Sequence, residues 1–180
     1  MDEFGLRRRR AEGLGNGFGQ RPASRVIGYG SSKAVRPPAK RRLLLVDDDA
    51  VVRDSIANVL RGEGYEVVSA ANGLEALDLA ATRVLDLVLL DLNLPRKDGW
   101  DTFELLTRQN PGLPVIIITA RSNQLFPALA VGAGALMEKP LDFPKVLQTI
   151  ANLLDEPMES RRARLAGKPA EFHYLPSHPL

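Results

Sequence analysis

The sequence predicts an α/β fold: five parallel strands with helices on both faces. Two observations carry this. Mainly apolar runs at 43–46, 85–90, 115–118 and 135–138 are each separated by stretches with helical spacing, the pattern of strands buried on both sides. Each run also ends in a polar group: Asp47-Asp48-Asp49, Asp91, Thr119 and Lys139-Pro140. In an open parallel sheet the strand carboxyl ends face one crevice, where ligands bind, so these groups are expected to converge there.

The elements follow in order. Residues 43–46 form the first strand. Asp49 caps a helix over 50–61, with Val52, Ile56, Val59 and Leu60 at inward spacing. Gly62 and Gly64 end that helix. Residues 66–70 form the second strand. Asn72, with Glu75 three positions later, makes a capping box for a helix over 74–82. After the third strand, 85–90, residues 94–99 carry turn chemistry, and a helix runs over 100–109 with Trp100 as a surface-adjacent anchor. The β-branched run 115–118 reads as a central strand. Pro127 and the run Gly132-Ala133-Gly134 predict a short or irregular fourth helix near 125–131. Residues 135–138 are the last strand and 141–154 the last helix, with Pro144 near its start.

Composition bounds the rest. The 180 residues suffice for one domain with tails. With no cysteine, disulfides and thiolate metal sites are excluded, which fits a reducing cytoplasm. No apolar stretch approaches the roughly 20 residues of a membrane span, and no apolar segment follows Arg7–Arg10 to make an export signal. Charge is divided. Residues 1–42 carry nine Arg and two Lys against three acids, a net +8; residues 43–156 carry nine basic and seventeen acidic residues, a net −8. Residues 1–40 read as a disordered basic arm, 41–156 as the domain, and 157–180 as a C-terminal tail. The basic whole-chain balance therefore belongs to the tails, and nucleic acid is not expected as a partner.

Adjacent carboxylates at a strand end need a counter-ion. Asp47 and Asp48 are candidate ligands for a hard cation such as Mg²⁺, which takes one or two carboxylates plus phosphate oxygens; Asp49 is assigned to the helix cap. Asp91, closing an apolar strand, is the candidate nucleophile, since a carboxylate attacks phosphorus to form an acyl phosphate. Thr119 offers a hydroxyl to a phosphoryl oxygen and Lys139 an ammonium. Alone, Thr119 is an ordinary strand residue and Lys139 a common surface one; together with the acids they form a kit for phosphoryl transfer. The Lys139-Pro140 bond is a candidate cis peptide.

The set Val46-Asp47-Asp48, Asp91 with Pro95 and Gly99, Thr119-Ala120 and Lys139-Pro140 resembles the receiver domain of two-component response regulators, over about residues 41–156. The resemblance implies a flavodoxin-like (βα)5 sheet in the order 2-1-3-4-5. It implies phosphorylation of Asp91 by a histidine kinase or histidine phosphotransfer protein. It also implies Mg²⁺ held by Asp47, Asp48, Asp91 and the main-chain carbonyl of Asn93, with Thr119 and Lys139 on the phosphoryl group. The chain is then expected to be a cytoplasmic, stand-alone signalling switch rather than an enzyme. Its output would run through protein contacts, as a monomer or a phosphorylation-dependent dimer.

Two departures stand out. The family's aromatic switch position, three before the lysine, is Leu136, and the segment from Thr119 to Lys139 is about two residues short of better-known members; an atypical output face is expected. Arg121 and Asn93 stand two residues after Thr119 and Asp91, at positions that tune phosphate loss in such domains. His173 and His178 lie outside the domain, and Phe172 and Tyr174 either pack back on it or dock on a partner. Three other readings are a phosphorylation-independent pseudo-receiver, which Leu136 favours, a nucleic-acid-binding regulator using the Arg-rich arm, and an aspartyl-phosphate phosphohydrolase. Asn93, where a second acid is wanted, weighs against the last.

Overall fold

The computed structural model describes residues 40–95, 98–121, 123–168 and 172–177. The arm expected over 1–40 lies outside the described residues except for Lys40. The order is β1 (Arg42–Val46), α1 (Ala50–Gly62), β2 (Glu66–Ala70), α2 (Gly73–Thr82), β3 (Leu87–Asp91), α3 (Gly99–Gln109), β4 (Val115–Thr119), α4 (Leu125–Ala130), β5 (Ala135–Glu138), α5 (Phe143–Asp155), α6 (Met158–Leu165) and β6 (His173–Leu175).

All strands are parallel, in the order β2-β1-β3-β4-β5-β6. The first five follow the expected 2-1-3-4-5 order. The sixth adds to the expected five: residues 157–180, expected as a C-terminal tail, supply a helix and an edge strand beside β5, with Leu136 in register with Tyr174. Polar contacts hold this extension. Arg164, 8 % exposed, pairs with both carboxylate oxygens of Glu156 and donates to the Gly132 carbonyl. Arg161 donates to the main-chain carbonyls of Gly112 and Leu153. A charged partner that buries with its counter-ion leaves no apolar periodicity for a sequence reading to find.

The helix starts follow the caps. Asp49 accepts from the amides of Val51 and Val52, as expected. Asn72 accepts from the Glu75 amide, whereas the Glu75 carboxylate reaches the Ala71 amide, one residue short of a reciprocal capping box. Asp142 caps α5 with Pro144 in its first turn. The fourth helix is short, six residues, and ends at Gly132 with φ +75°, a left-handed conformation that glycine adopts without a Cβ clash.

Strand alternation splits the core in two. Leu44, Val46, Val88, Leu90, Val115, Ile117 and Leu136 face α2, α3 and α4. Leu43, Leu45, Leu87, Leu89, Ile116, Ile118 and Met137 face α1 and α5. The central strands are therefore apolar on both faces. Truncating one of these fully buried leucines to alanine costs about 2–5 kcal/mol. This rigid double-faced sheet fixes the strand ends that carry the candidate site.

Candidate functional site

The carboxyl ends of β1, β3, β4 and β5 bring the expected groups to one edge of the sheet. Asp47 and Asp91 are buried, at 1 % and 3 % exposure, while Asp48 is open to solvent. One oxygen from each of the three acids lies within 4.8 Å of the others. Lys139 reaches across from the end of β5: its Nζ is 2.8 Å from Asp47 Oδ2 and 2.6 Å from Asp91 Oδ2. The Lys139-Pro140 peptide is cis.

Each acid's other oxygen is held by main chain. Asp47 Oδ1 accepts from the Asp49 amide at 3.0 Å, and Asp91 Oδ1 accepts from the Asn93 amide at 2.9 Å. Arg53 Nη1 donates to the Asp47 carbonyl at 2.6 Å. These bonds fix the rotamers, leaving both carboxylates with lone pairs toward the crevice. Burial pushes the Asp47 carboxyl above the ordinary aspartate range, and the nearby Asp91 charge adds to this, while Lys139 pulls the other way. For Lys139, burial acts downward, but its hydrogen bonds to Asp47 and Asp91 outweigh it and hold the ammonium above the usual lysine value. The site is thus built around a cation, supplied here by Lys139.

Thr119 is fully buried at the end of β4, and its Oγ1 accepts from the Arg121 amide at 3.0 Å. It is in register with Glu138, and Asp91 with Ile118, so Thr119 stands at the same edge as the acids. Around the rim, Arg121 bonds the Asn93 side chain through Nε and lies 3.4 Å from Asp98. Trp100 Nε1 donates to Gln124 Oε1, with its ring edge-on to Phe103, so the expected anchor also ties α3 to the loop before α4.

Direct contacts therefore join Asp47, Asp91 and Lys139, with Asp48 alongside; Asn93 joins through its amide. One contributor, Arg53, was not singled out from sequence, and another, Gly99, was named there only as part of the motif. Arg53, four residues after the helix cap, fastens the acid loop; its spacing from Asp49 was the available signal. Gly99, the motif glycine after Asp91 and Pro95, packs so closely on the loop that an added Cβ would lie 2.4 Å from the Leu92 Cα and 2.9 Å from the Asp91 carbonyl oxygen.

A doubly wound parallel sheet with a buried acid cluster bridged by lysine at its carboxyl edge is the arrangement that the receiver resemblance implies. Residues 43–151 match the response regulator receiver domain model, and the chain belongs to that family. Receivers of this family are signalling switches in which phosphorylation and Mg²⁺ binding are general features. Among curated relatives, the transcriptional regulatory protein ZraR of Klebsiella oxytoca is 40 % identical over 114 residues, covering 62 % of this chain and 26 % of that protein. The response regulator MprA of Mycobacterium sp. (strain KMS) is 37 % identical over 115 residues, covering 63 % and 50 %. The chain thus spans about a quarter to a half of the length of these relatives. Among solved structures, a CheY-like receiver from Methanospirillum hungatei JF-1 superposes with a TM-score of 0.64 at 33 % identity, covering 67 % of this chain and 98 % of that one. The response regulator TrrA of Thermotoga maritima, solved in complex with Mg²⁺-BeF, gives 0.59 at 28 %, covering 63 % and 98 %.

Proposed function

We propose that this chain is a phosphorelay switch that accepts a phosphoryl group on Asp91 from a histidine kinase or a histidine phosphotransfer protein. The observation that carries the reading is the cluster of three carboxylates within 4.8 Å, two of them bridged by Lys139. In the transfer, an Asp91 carboxylate oxygen bonds to the phosphorus of the donor as the P–N bond to the donor histidine breaks. The electron pair leaves on the imidazole nitrogen, and an acyl phosphate remains. Catalysis is positioning and charge compensation. The Asn93 amide orients the Asp91 carboxylate, Lys139 follows the charge onto the phosphoryl oxygens, and the Thr119 hydroxyl donates to one of them.

The donor set fits Mg²⁺. Asp47, Asp48 and Asp91 offer hard oxygens, and the Asn93 carbonyl is assigned as the remaining protein ligand. When bound, the ion would neutralise charge between the acids and the incoming phosphoryl group.

Output is assigned to protein contacts, in the cytoplasm, by a monomer or a phosphorylation-dependent dimer. No helix among the described residues is long and apolar enough to cross a membrane. A nucleic-acid-binding regulator using the Arg-rich arm is the competing output; salt-dependent nucleic-acid binding that disappears on removing residues 1–40 would favour it. A pseudo-receiver is the second reading, favoured by the fully buried Leu136 at the switch position.

Incubation with acetyl phosphate, read by intact mass, tests the proposal. A phosphate-sized gain that needs Mg²⁺ and vanishes in Asp91→Asn is expected. A folded, Mg²⁺-binding chain that gains nothing from any donor would move the pseudo-receiver reading to first place.

A further inference from the structure

The C-terminal strand β6 closes the sheet beside β5, the strand that leads into Lys139. Alternation puts Thr119, Leu136, Glu138 and Tyr174 on one face of the sheet. Thr119 shares a face with Val115 and Ile117, and Leu136 and Tyr174 both pack in that same cluster. Across the strands, Thr119 is in register with Glu138, and Leu136 with Tyr174. The Glu138 carboxylate gathers the segment: Tyr174 donates its hydroxyl to Oε1 at 2.8 Å, and Ser177 donates both its amide and its hydroxyl to Oε2 at 3.3 Å. A continuous row thus runs from the Thr119 hydroxyl through Glu138 to the strand on the outer edge.

We propose that residues 172–177 form a releasable strap on the β5 edge, latched by Glu138 and loosened when Asp91 is phosphorylated. The trigger rests on the phosphoacceptor reading above. The occupant of the edge is this chain's own segment, already seated. Its strand pairing is short: three residues, all half-buried. By contrast, β4 and β5 pair over four residues that are mostly buried. The Lys139 amide also donates to the Thr119 carbonyl at 2.9 Å, so the ends of β4 and β5 move together. A phosphoryl group that recruits the Thr119 hydroxyl and the Lys139 ammonium shifts the backbone on both sides of Glu138. The shorter and more exposed of the two pairings on β5, that of the strap, gives first. Leu136 has no hydroxyl or ring with which to follow Thr119; Tyr174, brought beside it from a distant part of the chain, has both.

Hydrogen–deuterium exchange of the full chain, with and without Mg²⁺ and acetyl phosphate, tests this, with intact mass recording occupancy of the same samples. The amides of His173, Tyr174, Leu175 and Ser177 should exchange at least about tenfold faster in the phosphorylated chain, while those of β1 and β3 stay protected. Tyr174→Phe and Glu138→Gln should show fast strap exchange without phosphorylation, and phosphorylation should add little. Full phosphorylation with unchanged strap exchange overturns the strap alone. Absence of any mass gain overturns the phosphoacceptor reading and the trigger with it. Variants whose strap exchanges like the parent's overturn Glu138 as the latch.

Discussion

Lys139 Nζ lies 2.6 Å from Asp91 Oδ2 although the two residues are 48 positions apart, and the same nitrogen holds Asp47 at 2.8 Å. This ammonium is the internal counter-ion of two buried acids. Lys139→Met leaves them facing each other, which costs about 2–3 kcal/mol of stability after allowing for the partial exposure of the lysine. A divalent cation held among the acids would take over the lost role. Urea unfolding should therefore show a larger Mg²⁺-dependent gain in the variant than in the parent; equal gains would mean that the ion does not sit among these acids.

The close packing of Gly99 on Leu92 sets a second expectation. The nearest atoms to an added Cβ are main chain, which cannot rotate away. Gly99→Ala should destabilise by roughly 3 kcal/mol and displace the loop after Asp91. Denaturant midpoints and the phosphorylation rate should fall together. A near-neutral alanine variant would show that the loop yields.

Arg121 spans the rim between Asn93 and Asp98 while remaining largely exposed. Its removal should change stability by no more than about 0.5 kcal/mol. If the guanidinium screens Asp91 from water, Arg121→Ala shortens the lifetime of the phosphorylated chain severalfold. The decay of the phosphate-sized mass increment measures this, and an unchanged half-life would reduce the residue to a solvated loop arginine.

The Tyr174 hydroxyl is held above the ordinary tyrosine range, first by its hydrogen bond to Glu138 and then by burial and the carboxylate charge. A proton bound more tightly in the folded chain contributes stability that is complete below the unfolded value of about 10 and lost as pH rises through the higher folded value. In an alkaline absorbance titration, the component missing from Tyr174→Phe should titrate later than a free tyrosine. Its appearance at or below the ordinary value would mean that the bond to Glu138 is not kept in solution.

Much of this was legible in the sequence because the physics is local. The run 115–118 and the residues 66–70 announce strands by branching and length, and Asp49 and Asn72 mark helix starts through their own side chains. The acids and Lys139 were legible because each follows an apolar run at a strand end. What escaped was non-local. Helix α6 is strongly polar and is held by Arg164 on Glu156, a pairing that no hydrophobic period announces. Strand β6 has only three residues and takes its stability from β5 and from Glu138. The packing-back alternative for Phe172 and Tyr174 is the one observed, since both lie against the core.

The two-faced core has a consequence for how such a site is adjusted. Asp91 continues the face of Leu87 and Leu89, which belongs to α1 and α5, whereas Thr119 continues the face of Ile117, which belongs to α3 and α4. The charged half and the hydroxyl half of one pocket are thus upholstered by different layers. Substitutions among α1 and α5 are expected to act first on the seating of the acids, and substitutions among α3 and α4 first on the seating of the hydroxyl. The sheet between them keeps the two supports apart.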